Sequence, residues 1–247
     1  MIPQVVTYAD SRVPVRADIV ESHQRTWDRL AGAGTWWGGK ERVAIAAETR
    51  NAADCALCRE RRGALSPYAV TGVHESLGAL PDVVVDVVHR VTTDPGRLTE
   101  RLVREFVAAG LTDAHYVETV AIVGYSVNYD TFCTALSVPA RPLPQPRTGM
   151  PSRVRPAAAQ DDGAWVPLIP AGEAAGENAG LYHSNAPPNI QRALSLVPDE
   201  ARHWASIISA EYVPPEDLLT PVSRRSITRP QMELLAARVS ALNDCFY

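Results

Sequence analysis

The sequence predicts an all-α protein of two related helical units. Three observations carry the fold class. Apolar residues recur at three- and four-residue spacings, the period of one helix face. No alternating apolar–polar series and no βαβ rhythm is present. Proline, which a helix interior does not tolerate, is concentrated in one stretch, with eight of 20 between positions 139 and 170.

Each element follows from local pattern. Ile19, Val20, His23, Trp27 and Leu30 share one face of a helix over 16–30. Gly38 and Gly39 precede a second helix over 40–62. The segment PDVVVDVVHRV at 81–91 is β-branched, yet a proline suited to a first turn, and helices on both sides, favour a buried helix over a strand. A helix over 97–109 is closed by Gly110, and Thr112 or Asp113 caps the next, which runs to about 136. The proline-rich stretch is extended, with Trp165 expected to hold part of it on the protein surface. The run AGEAAGENAG at 171–180 reads as a mobile connection. Short helices at 189–196 and 200–211 follow, then one over 230–242 with Pro230 in its first turn and Thr228 as its cap. The expected organisation is a first helical unit at 1–138, a linker at 139–181 and a second, incomplete unit at 182–247.

Composition narrows the function. The 247 residues carry 24 Lys+Arg against 28 Asp+Glu, a net charge of -4, with no dense basic run, so a nucleic-acid partner is not expected. Four cysteines are too few for a secreted disulfide framework. The start lacks the basic and apolar regions of a signal peptide, and the longest apolar stretches, at 43–47 and 119–127, fall short of the roughly 18 residues a spanning helix needs. The expectation is a soluble cytoplasmic protein with reduced cysteines and no membrane contact. No glycine-rich phosphate loop, dinucleotide fingerprint or nucleophile elbow occurs, and no cofactor is expected.

The chemistry-bearing motif is the CxxC of Cys55 and Cys58. Residues three apart on a helix lie about 5–6 Å apart on one face, within disulfide reach. Asp54 reads as an N-cap, which places Cys55 at the positive end of the helix dipole and lowers its pKa. A thiolate there attacks a peroxide or a disulfide, and the second cysteine resolves the product. The alternatives are a zinc half-site, for which no second CxxC or HxxxH completes a set, or two inert buried thiols. Glu41, Glu48, Cys55 and Arg62 recur every seven residues and form a stripe if the helix is continuous; if it breaks at Asp54, Glu48 folds near the thiols instead. Glu48 and Arg62 are then a proton acceptor and a thiolate stabiliser. His89 and Glu118, on neighbouring helices, are further candidates to face the pair, and Cys133 reads as core.

An internal repeat aligns the two units. At an offset of 190 residues, KERVAIAAETRNAADCALC lies over PQMELLAARVSALNDCFY, each an alanine-rich helix followed by Asp-Cys. Such a helix leading into Cys-x-x-Cys resembles the alkylhydroperoxidase D/carboxymuconolactone decarboxylase superfamily. The segments AAETRNAADCALCRERRGALSP at 46–67, HRVTTDPGRL at 89–98 and YVE at 116–118 are similar to proteins described as alkylhydroperoxidase-related (seleno)proteins. The resemblance implies an all-helical, oligomeric fold that reduces peroxides through a cysteine pair. In that family a Glu and a His relay protons, and a dithiol such as dihydrolipoamide, or a thioredoxin-like partner, restores the thiols.

The family spacing is Glu, eleven residues, Cys, two residues, Cys, three residues, His. In the second repeat Glu233 and Cys245 fit the first two positions, and the pattern asks for a second chalcogen at position 248 and a histidine at 252. Two readings follow: codon 248 is UGA, with selenocysteine as the second chalcogen, or the repeat is cut short there by a plain truncation. In the first repeat Val43 stands where the glutamate is expected and Arg62 where the histidine is, so Glu41 or Glu48, and His74 or His89, replace them. By resemblance Cys58 attacks and Cys55 resolves; the helix-dipole argument favours Cys55 as the more acidic thiol. A non-redox lyase or isomerase built on Glu48, His89 and Glu118, or a binding module with a decayed site, are the competing readings.

Overall fold

The computed structural model describes residues 5–214, 217, 225–243 and 245. Among these residues the chain is all-helical, and the sole β-type pairing is an isolated antiparallel bridge between Gln160 and Leu168. Nine α-helices follow in order: α1 (Ala17–Ala31), α2 (Gly39–Ala52), α3 (Ala56–Gly63), α4 (Asp82–Thr93), α5 (Glu100–Ala108), α6 (Asp113–Ala135), α7 (Asn189–Arg192), α8 (Pro198–Glu211) and α9 (Arg229–Leu242). No single described helix is long and apolar enough to cross a membrane.

Helices α2, α4 and α6 pack against one another and form the centre. The helix α4 forms despite its valines because they are buried: Val84, Val85, Val87 and Val88 are at most 3% exposed. Burying a valine contributes about 1.5–3 kcal/mol, whereas its helix-propensity cost against alanine is at most about 0.7 kcal/mol. Pro81 occupies the N-cap and Asp82 the first turn, as the start of a helix favours. Thr99 and Thr112 cap α5 and α6 through their side chains. Thr228 and Gln231 form a capping box on α9.

The expected helix over 40–62 is two helices. The chain turns after Ala52, with Asp54 N–H donating to Asn51 O (3.2 Å) and Cys55 N–H to Ala52 O (3.3 Å). Cys55, rather than Asp54, is the N-cap of α3. The Glu75 carboxylate accepts the Ala56 amide at 2.8 Å, so a residue from a distant loop does the capping work assigned to Asp54. The other end of α3 is held by Arg97, whose guanidinium donates to Arg61 O (2.6 Å) and Ala64 O. A cation at that end also complements the helix dipole.

The proline-rich stretch lies along the first unit as an extended strap. Trp27 Nε1–H donates to Pro142 O (2.9 Å), Arg147 N–H to Ala31 O (2.7 Å) and Arg153 N–H to Thr35 O (2.8 Å). Trp165 is half exposed, and buried Leu168 and Ile169 anchor the strap's end instead.

The C-terminal helices differ from one another. Helix α8 packs on α1 and α6 and sends Glu200 into the bundle. Glu200 Oε1 accepts from Arg42 on α2 (2.8 Å) and Arg29 on α1 (2.9 Å), and Oε2 accepts from the Tyr125 hydroxyl on α6 (2.6 Å). Arg42 also pairs with Glu118, and Arg42, Glu118 and Glu200 are at most 1% exposed. A Cβ on Gly34 would collide with the Glu118 carboxylate and the Arg42 guanidinium, so glycine is required there. By contrast α9 buries only Met232 and leaves Leu234, Leu235, Val239 and Leu242 exposed.

Removing one partner of a buried charge network leaves the others uncompensated, at a cost of about 3–5 kcal/mol. Arg42→Met should therefore lower the midpoint of thermal unfolding followed by circular dichroism, while Leu235→Ala on exposed α9 should leave it nearly unchanged. Equal melting of Arg42→Met and the parent would show that the network does not hold α8 to the bundle.

Candidate functional site

The turn between α2 and α3 brings side chains of α2, α3, α4 and the loop before α4 to one point. Cys55 and Cys58 are 1% and 4% exposed and form, with Leu57 and Val70, a small apolar cluster separate from the main core. Cys58 Sγ lies 3.2 Å from His89 Nδ1 on α4. The other nitrogen of that ring, Nε2, is 2.9 Å from Glu48 Oε1 on α2. Glu48 is fully buried and has partners on both oxygens. Asn51 Nδ2 donates to Oε1 (2.9 Å), and Leu77 N–H (3.0 Å) and the Ser76 hydroxyl (3.3 Å) donate to Oε2. Glu48, so held, orients the His89 ring, with Nε2 toward the carboxylate and Nδ1 toward the sulfur.

His74, on the loop between α3 and α4, repeats this arrangement. Its Nδ1 lies 3.6 Å from Cys55 Sγ and 3.5 Å from Cys58 Sγ, and its Nε2 lies 2.7 Å from Asp86 Oδ1 on α4. Arg61 Nη1 (2.8 Å) and Arg90 Nε (3.0 Å) also donate to Asp86. The two imidazole rings stand 4.2 Å apart, centroid to centroid. The sulfurs of Cys55 and Cys58 and one nitrogen of each histidine all lie within 4.8 Å of one another, a donor set of the type that holds a metal ion.

This surrounding tunes the thiols. Burial pushes Cys58 up, but hydrogen bonds from His74, His89 and Thr93 outweigh it and bring its pKa down to about 6. Cys55 is likewise raised by burial and drawn below the usual thiol value by His74 and by the backbone amides of Cys58 and Glu75. Burial disfavours charge on His74, but Asp86 and both cysteines raise it to about 10. Glu48 is opposed by burial and held below the usual carboxylate range by His89, Asn51 and Leu77.

Of the residues singled out by sequence, Cys55, Cys58, Glu48, His74 and His89 meet here. Arg62 does not: it is exposed on α3, and Arg61, one residue earlier, faces Asp86. One residue turns a helix by about 100°, which separates the two arginines. Glu118 lies in the Arg42–Glu200 network, where burial raises its pKa and Arg42 opposes that rise. Glu233 is exposed on α9 and pairs with Arg229 and Tyr212, and Cys245 is exposed and free. Asp244, Phe246 and Tyr247 of the second repeat lie outside the described residues. Glu41 is exposed at the start of α2. Sequence reasoning missed Asp86 and Arg61; the three-residue spacing of Asp86 and His89 on one helix is the signal for the former. An apolar hollow between α7 and α8, lined by Leu181, Ile190, Leu194 and Trp204, contains none of these groups.

Comparison with family models, with curated proteins and with solved structures finds no match to this chain.

A thiol of pKa about 6 beside an imidazole of pKa about 10 forms a thiolate–imidazolium pair between those pH values. Because the cysteine value is depressed, its stabilising contribution is present above the ordinary thiol pKa and is lost as pH falls through about 6. The raised histidine contributes fully below the ordinary imidazole pKa and loses its contribution as pH rises through about 10. Alkylation of Cys58 by iodoacetamide in the reduced, chelator-treated protein, read by peptide mass spectrometry, should rise with a midpoint near pH 6. A midpoint near about 8.5, that of a free cysteine, would contradict this account.

Proposed function

We propose that the protein is a thiol oxidoreductase that reduces a hydroperoxide or disulfide substrate through Cys55 and Cys58. The observation that carries this reading is the buried line Glu48–His89–Cys58, with contacts of 2.9 Å and 3.2 Å. A carboxylate that orients a histidine, which in turn faces a nucleophile, is the general arrangement for activating that nucleophile. The reading agrees with the resemblance of the CxxC region to alkylhydroperoxidase D-like proteins, and we extend it to an AhpD-like bundle. Here Glu48 and His89 come from separate helices to replace the glutamate and histidine of the family spacing.

In the proposed cycle Cys58 is the attacking thiolate, since both histidines touch it. Its sulfur attacks the distal oxygen of a hydroperoxide and the O–O bond breaks. The alcohol leaves with a proton from an imidazolium, and Cys58 becomes a sulfenic acid. The Cys55 thiolate then attacks that sulfur, water leaves with a second proton, and a Cys55–Cys58 disulfide forms. One hydroperoxide and two thiols thus give one alcohol, one disulfide and one water. An external dithiol, lipoyl- or thioredoxin-like, restores the pair by exchange. Both sulfurs are almost fully covered, so a substrate reaches them when the loop that carries His74, Val73 and Leu77 opens.

Treatment of the reduced protein with one equivalent of hydroperoxide should remove two hydrogens from the peptide holding both cysteines. Glu48→Gln should slow this at neutral pH by on the order of 10²-fold, the lower end of what a positioned proton-transfer group supplies. Full alkylation of both thiols after peroxide would remove the reading. The non-redox lyase reading lacks its third group, because Glu118 is bound to Arg42. The resemblance also implies a homo-oligomer, and the exposed leucines of α9 fit one. Light scattering should show a dimer or larger, and a stable monomer would count against assembly.

A further inference from the structure

We infer that Cys55, Cys58, His74 and His89 are a tetrahedral Zn²⁺ site, and that the zinc-bound and disulfide forms are alternative states of one set of side chains, the metal masking the dithiol until a hydroperoxide oxidises it. Binding stands on the geometry alone; the masking rests on the dithiol reading above.

The distances are those of a metal site. With Zn–S of about 2.3 Å and Zn–N of about 2.0–2.1 Å, a tetrahedral centre puts sulfur and nitrogen about 3.5 Å apart. The three sulfur–nitrogen contacts measure 3.2, 3.5 and 3.6 Å, and all four donor atoms lie within 4.8 Å of one another. A lone histidine–thiol pair accounts for one of these contacts, not for convergence of four donors.

The groups behind the two histidines point the same way. A zinc-bound histidine turns its other ring nitrogen to a carboxylate or carbonyl, which fixes the tautomer and raises ligand basicity. Both histidines here do so in the same sense, with Nδ1 inward and Nε2 outward: His89 to Glu48 at 2.9 Å, His74 to Asp86 at 2.7 Å. These carboxylates are themselves held, Glu48 by Asn51 and Leu77 N–H, Asp86 by Arg61 and Arg90. Two thiolates neutralise the charge of one Zn²⁺, so the buried centre carries no net charge. Four protein ligands leave no position open for substrate, the arrangement of a structural rather than a catalytic zinc. The ligands come from α3, α4 and the loop between them, so the metal fastens that loop over the sulfurs. It therefore blocks the access that the dithiol cycle requires.

Release balances as a two-electron oxidation. The two zinc-bound thiolates lose two electrons and join as a disulfide. The hydroperoxide takes those electrons and two protons, its O–O bond breaks, and an alcohol and a water leave. Zn²⁺ departs because a disulfide offers no thiolate to hold it.

The test uses the full chain, reduced, stripped with a chelator and titrated with Zn²⁺ or Co²⁺. One equivalent should bind. The Co²⁺ adduct should show thiolate-to-metal charge transfer and the intense visible bands of tetrahedral cobalt. Asp86→Asn should weaken zinc binding by about 10–100-fold, as loss of a carboxylate behind a ligating histidine does. Zinc-loaded protein should form the disulfide at least tenfold more slowly than stripped protein, and hydroperoxide should free one Zn²⁺ per disulfide, read with a chromogenic chelator. Stripped parent protein that oxidises to the disulfide but binds neither ion would overturn the inference and leave the dithiol reading standing. Tetrahedral cobalt in a protein that forms no disulfide, with or without metal, would remove the dithiol reading and the masking with it. Zinc that binds without slowing oxidation would overturn the masking.

Discussion

A carboxylate with no access to water organises the thiol site. Glu48 is fully buried, and an ionised carboxylate in that position persists only if every lone pair it presents is met. Its partners come from α2 itself, from α4 and from the loop before α4, through Asn51, His89, Ser76 and Leu77. Meeting that one requirement fixes the approach of α4 to α2, the course of the loop and the orientation of the His89 ring. The position of Cys58 against that ring then follows from the turn at Ala53–Cys55.

The cysteine site and the cluster around Arg42 are polar centres of different character. Around the cysteines, ligand-like nitrogens and soft sulfurs converge behind a loop that leaves Leu65, Val73 and Leu77 to solvent. Around Arg42, two buried glutamates compensate its charge between four helices, with partly exposed Arg29 reaching in from α1, and among the described residues no sulfur or imidazole hydrogen-bonds to that set. The second centre has the marks of a structural joint, since it binds α8 to α1, α2 and α6. Glu118 belongs to the joint, which is why a site reading that grouped it with His89 fails on geometry rather than on chemistry.

Most of the helices were legible because burial acts on periodicity. The valines of α4 and the caps at Thr112 and Thr228 carry their signals locally. The break inside 40–62 was less so, because its decisive partner, Glu75, lies 19 residues from the amide it accepts. That break destroys the helical phase between Glu48 and Arg62, so a stripe drawn through both joins a site residue to a solvent-facing one. Both histidines were named from sequence as candidates, but their joint convergence on the two sulfurs was hidden for a similar reason. His74 and His89 stand on a loop and a helix, at a spacing that no short zinc pattern contains, and only the fold brings them to one point. Asp86 looks from sequence like an ordinary helix charge, and its role depends on an imidazole arriving from outside α4.

The two centres also differ in how far apart their members lie along the chain. Every residue around the cysteines falls between Glu48 and Arg97, whereas Arg42 meets Glu200 across 158 positions. During vectorial synthesis at about 5–20 residues per second, the hundred or so residues between Arg97 and Glu200 take about 5–20 s to appear. Over that interval the nascent chain carries every residue of the sulfur–imidazole cluster while Arg42 still lacks Glu200. The cysteine site is therefore complete in sequence well before the residue that ties α8 to the bundle is made.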